Sequence, residues 1–150
     1  MTLNQTRALL LLVIVTCCVG VSGSTGSVTA LPNPVLYLVG TEVFQSNGKT
    51  FVRYKYDVFN KDAYPADMFA ASPNLPPCGN NTKASRTWID FYDQTGKRLY
   101  GFCALGKPAD LNGIYFAVEE TVIPPSWVYI EMKDRQTNTT YKSNLADTTN

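Results

Sequence analysis

The stretch from Phe51 to Asn60 restricts the chain more than any other. Val52, Tyr54, Tyr56 and Val58 alternate there with Arg53, Lys55 and Asp57. Successive side chains of a strand point to opposite faces, so this spacing gives one apolar face and one wet face. That is the pattern of an antiparallel sheet covered on one side only. A half-buried strand has no stability alone; it needs neighbouring strands and a second layer on its apolar face.

The remaining chain has the same texture. Val35 to Phe44 reads as a strand bent at Gly40, and Ser46-Asn47-Gly48-Lys49 supplies an Asn-Gly pair for a tight hairpin. Further strands are expected over Arg86 to Tyr92, Lys97 to Leu105, Ile114 to Val118, Trp127 to Lys133 and Thr140 to Ser143. Asp93 to Gly96, Gly106 to Gly113 and Asp134 to Thr139 separate them as turns or loops. No segment sustains a helical period. About seven short strands cut by turn residues imply an all-β fold, an antiparallel sandwich. Residues 61–85 interrupt the rhythm, with a short helical turn expected within Ala63 to Ala71. The run Pro73-Asn74-Leu75-Pro76-Pro77-Cys78-Gly79 then makes a stiff connection, because proline fixes φ.

The chain opens with a polar start carrying Arg7, an apolar run from Ala8 to Val19, and small residues through Ser24. This reads as a secretory signal over residues 1–23, cleaved near Gly23; the apolar run is shorter than the roughly 17 residues a membrane span needs. The organisation expected is a signal peptide at 1–23, a flexible linker at 24–34, the sandwich at 35–144 and a polar, frayed tail at 145–150. The protein is then secreted, with no membrane span. The alternative is a cell-envelope lipoprotein anchored through Cys17 or Cys18. A lipobox wants a small residue before its cysteine, whereas Thr16 and Cys17 precede these two. Arg7 is the only charge in the signal, so the formal charge of +1 falls to zero on cleavage. With no basic excess, a nucleic-acid partner is not expected.

Two cysteines remain after cleavage, Cys78 and Cys103. In an exported chain a disulfide between them is the expected state, and it would tie the proline-rich connection to the sheet near Trp88. A reactive or metal-binding thiol pair is the alternative.

Strand count, spacing and a tryptophan in a central strand resemble the immunoglobulin and fibronectin type III sandwich class. The ending PSWVYIEMKDRQTNTTYKSN, from Pro125 to Asn144, is similar to the last hairpin of such domains. The segments Leu75-Pro-Pro-Cys-Gly79, Ala84-Ser-Arg-Thr-Trp88 and Leu99-Tyr-Gly-Phe-Cys103 also resemble a group of small secreted proteins, many bacterial, without assigned activity. That resemblance implies the fold and a paired Cys78–Cys103, and no catalytic residue. The long cysteine spacing of true immunoglobulin domains is absent.

The chain contains no histidine. That removes Ser-His-Asp and Cys-His nucleophiles, histidine bases and histidine-bearing metal sites. Carboxylate pairs remain, Asp90 with Asp93 and Glu119 with Glu120, but their spacing points the members of each pair to opposite strand faces. Asp57, Asp62, Asp67, Asp110 and Asn112 offer oxygen ligands without a regular calcium-loop spacing. No metal site and no cofactor are expected. Nine tyrosines and seven phenylalanines exceed what one small core requires. Tyr64, Phe69, Tyr92, Tyr100 and Tyr115 are candidates for exposed rings that bind sugars or proteins; for any one of them sandwich filling and cross-strand pairing is the leading reading. Arg86, near Trp88 and Asp90, suits stacking or an ion pair. Asn80 and Asn138 head glycosylation sequons in predicted loops.

These readings converge on a secreted, non-catalytic binding module for an extracellular protein or glycan. The expected surface is the loop from Pro73 to Asn81, chiefly Leu75, Pro76 and Pro77, with Tyr64 and Phe69 beside it. A protease inhibitor presenting that loop is the alternative, and a carboxylate-only glycan-acting enzyme the third reading.

Overall fold

The computed structural model describes residues 30–77, 85–104 and 106–149. It is all-β, with eight strands in two antiparallel sheets: β1 (Leu36–Ser46), β2 (Lys49–Val58), β3 (Thr87–Asp93), β4 (Arg98–Ala104), β5 (Asn112–Glu119), β6 (Trp127–Asp134), β7 (Thr139–Lys142) and β8 (Ala146–Asp147). One sheet runs β1-β2-β5; the other runs β4-β3-β6-β7, with β8 also paired to β6.

The alternation in β2 sets the layers. Tyr54, Tyr56 and Val58 are buried, while Arg53, Lys55 and Asp57 lie on the outer face. Ile114 and Phe116 of β5 join them from beside, and Ile89 and Phe91 of β3 with Val128, Ile130 and Met132 of β6 close the core from the second sheet. Phe116 packs near-parallel on Tyr54 at 5.1 Å, and also meets Tyr56 at 6.2 Å and Phe91 at 5.7 Å. The hairpin forms at the expected Asn-Gly pair. Asn47 and Gly48 take φ of 51° and 74°, the positive values that match the twist of paired strands. The bend expected at Gly40 is a register shift between Leu38 and Gly40, which leaves Val39 outside the ladder.

Three expectations are corrected. Residues 30–34 are not a free linker: Leu31 packs on the core, and the Pro32 carbonyl accepts the Tyr64 hydroxyl at 2.8 Å. The residues after Asn144 are not frayed, since Ala146 and Asp147 pair with β6 and the Thr148 side chain is buried. Between β7 and β8, the Ser143 hydroxyl accepts the Ile130 N–H, standing in for the interrupted ladder. The Asn144 carboxamide then bonds both backbone groups of Leu36, at 2.8 and 2.9 Å, and so fastens the β1 edge to the far sheet. The third correction is Tyr64 and Phe69. Short 3-10 turns at Lys61–Ala63 and Ala66–Phe69 tuck both rings into the core, 3% and 0% exposed.

Among the described residues no helix is long and apolar enough to cross a membrane. The signal peptide, Cys17 and Cys18 fall outside the described residues.

Candidate functional site

The burial of Tyr64 and Phe69 takes the two rings out of the expected surface. Of the loop, Pro76 and Pro77 are exposed and Leu75 is half-buried, while Cys78 and Asn80 lie outside the described residues. Arg135 holds both sides of this connection, donating to the Pro76 carbonyl at 2.8 Å and to the Ser85 carbonyl at 2.9 Å. Cys103 lies opposite Trp88 on the outer face of the second sheet.

Arg86 has a structural post. Its guanidinium grips the Asp134 carboxylate through two bonds, 2.9 and 2.7 Å, and reaches Asp67 at 2.7 Å. Burial alone would raise the Asp134 pKa; hydrogen bonds from Arg86, the Thr137 hydroxyl and the Gln136 N–H outweigh it and hold the group at about 2. Since the folded value lies below the unfolded one, near 3.9, this carboxylate stabilises the fold fully above pH 4. About 2 kcal/mol should be lost as pH falls from about 4 toward 2. Urea midpoints measured across that interval check the slope, and Asp134→Asn should flatten it.

The other carboxylates also have local work. Asp90 pairs with Arg98 at 2.7 Å, and the two lie directly over the α-carbon of Gly101, where any side chain would overlap them. Asp93 caps its own turn through the Thr95 hydroxyl and the N–H groups of Thr95 and Lys97, which hold its pKa low. Glu119 meets Lys49, and Asp57 accepts the Gly113 N–H at 2.7 Å. Among the described residues no group of three or more Asp, Glu or Cys side chains is placed to hold a metal. Asn138 stands exposed in the β6–β7 turn with φ of 59°.

Two of the exposed rings, Tyr100 and Tyr115, meet at one place, whereas Tyr37, Phe59 and Trp127 are exposed apart from it. The first sheet ends at β5, and the second ends on the same side at β4. Tyr100 and Phe102 share the face of β4 that points inward beside Phe91 and Ile89, yet Tyr100 is exposed and Phe102 only half-buried. They bound a cleft of about 310 Å³ with Asp110, Gly113, Ile114 and Tyr115. Ile114 forms its buried floor, and Gly113, at φ of 69°, adds no side chain to its rim. Tyr100 and Tyr115 are 46% and 37% exposed and nearly parallel, 15° apart with centroids separated by 6.4 Å. Phe102 continues the row at 6.1 Å from Tyr100.

Across the outer face of the first sheet the row extends through Arg53. Its guanidinium lies 4.3 Å from the Tyr115 centroid and 4.6 Å from that of Phe44, which in turn packs on Phe51. Glu42 bonds both Arg53 and Lys55, which pull its pKa down, Lys55 most. Of the five rings proposed from the sequence, then, Tyr100 and Tyr115 meet at the cleft. Tyr92 instead stacks on Tyr129, away from it. Phe102 and Asp110 complete the cleft. No protein-family model matches this chain, and no curated protein or solved structure matches it.

Proposed function

We propose that this chain is a secreted binding module of the immunoglobulin and fibronectin type III-like sandwich class, taking an extracellular protein or glycan at the β4/β5 cleft. The antiparallel order β1-β2-β5 against β4-β3-β6-β7, with β8 also on β6, supports the class: three strands face five, and β4 lies at the edge of the second sheet. A Cys78–Cys103 bridge belongs to the same reading and would anchor the proline-rich connection on the outer face beside Trp88. Export rests on the signal-like residues 1–23.

The observation that carries the binding role is the exposure of Tyr100 and Tyr115 over a preformed concavity. Large rings at the rim of a pocket are where binding energy concentrates, because they bury much area with few rotamers to freeze. Tyr100→Ala and Tyr115→Ala are expected to weaken capture of the native partner from the extracellular fraction roughly tenfold or more. Circular dichroism should show both variants folded. Binding that is unchanged in both would remove the cleft as the site.

A further inference from the structure

Resting on the cleft as the binding site, we propose that its ligand is a neutral saccharide, one ring of which lies against the Tyr100 and Tyr115 faces. Pyranose rings present flat patches of C–H bonds, which sit on the electron-rich face of an aromatic ring. The near-parallel setting of Tyr100 and Tyr115, with Phe102 tilted 29° from Tyr100, lines the cleft with ring faces of similar orientation. A protein side chain, in contrast, is held best in a deep pocket that surrounds it. The polar groups suit hydroxyls: tyrosine O–H both donates and accepts, and the Asp110 carboxylate at the rim has one oxygen on the Lys107 N–H and a second to accept. At about 310 Å³ the cleft is at the small end for ligand sites, which fits a single ring of a longer chain.

Charge decides between neutral and acidic sugars. On the adjoining face each cation already has an acid: Lys49 with Glu119 at 2.5 Å, Arg53 with Glu42 at 3.2 Å, and Lys55 with Glu42 at 2.6 Å. Among the described residues the only charged side chain lining the cleft is Asp110, which would repel a uronate or sulfate. The platform is also set before the ligand arrives. Arg53 clamps Tyr115 from the sheet and is itself fixed by Glu42 and Phe44, so less side-chain entropy is lost on binding.

Affinity electrophoresis of the purified protein tests this in gels containing laminarin, xylan, mannan, galactan or hydroxyethylcellulose, with alginate and polygalacturonate as acidic counterparts. At least one neutral polymer should retard the protein and neither acidic one should. Tyr115→Ala should weaken that retardation roughly tenfold, whereas Tyr115→Phe, which keeps the ring, should stay within about threefold of the parent. The inference is overturned if no neutral polymer retards the protein, if only acidic ones do, or if retardation survives Tyr115→Ala. Should no polymer bind while Tyr115→Ala still abolishes capture of a partner from the extracellular fraction, the saccharide falls and the cleft stands. Retardation indifferent to Tyr115 removes the cleft itself.

Discussion

Alanine at Asp134 is expected to lower the free energy of unfolding by about 3–5 kcal/mol, the usual result of removing one member of a buried ion pair. The side chain is only 4% exposed and that of Arg86 only 17%, so water cannot replace what is lost. Arg86 would keep Asp67, but Asp67 is 72% exposed and offers a screened, single contact. The Gln136 N–H and the Thr137 hydroxyl would lose their acceptor as well. The damage should also spread beyond one turn. Arg135, next in sequence, fastens Pro76 and Ser85, and its own N–H bonds the Arg86 carbonyl at 2.8 Å. Denaturant midpoints of Asp134→Ala, Arg86→Ala and the double variant measure this, and the double variant should cost much less than the sum of the two. A loss below about 1 kcal/mol in Asp134→Ala would mean that the pair is not a brace.

The second large effect is expected at Phe116, where alanine should cost about 3–5 kcal/mol. Its ring touches Tyr54, Tyr56 and Phe91, so its removal leaves a void bounded by groups from both sheets. The neighbouring substitution Tyr115→Ala should behave in the opposite way. It forfeits the cation–π contact with Arg53 and the ring contact with Tyr100 at the surface, about 1–2 kcal/mol together, and should lower the melting temperature by far less than Phe116→Ala while binding is lost. Adjacent residues on β5 thus separate stability from recognition, because a strand sends them to opposite faces. Thermal melts and binding assays on the two variants check both halves; a Tyr115→Ala protein as unstable as Phe116→Ala would contradict the assignment of faces.

The sandwich was legible in the sequence wherever a physical rule acts locally. Residues 52–58 alternate because one face is wet, Asn47-Gly48 turns because both residues accept positive φ, and Gly40 marks the bend. The turn expected from Asp93 to Gly96 forms for the same reason: the partners of the Asp93 carboxylate are two and four residues away. What stayed hidden depends on distant parts of the chain. Residues 61–72 have no period, so nothing local says that Met68 and Phe69 turn inward while Ala66 and Asp67 stay out. β8 is too short to announce itself, and its place was set by the Asn144 side chain finding Leu36. The cleft is the clearest case. Tyr100 and Phe102 occupy the positions of core residues, and whether such residues are covered depends on how many strands the opposite sheet has. Spacing within β4 carries no trace of that.

The Asn144 carboxamide has one more consequence. Its two bonds to Leu36 close one side of the sandwich, and the cleft lies along the opposite side, where β4 and β5 are unpaired edges. The two layers share one core but are clamped by side chain to backbone at one margin and left with free strand edges at the other, so the sandwich has a spine at Asn144 and a fore-edge at Tyr100 and Tyr115. A ligand seated on the fore-edge would add its binding free energy to the stability of the whole fold.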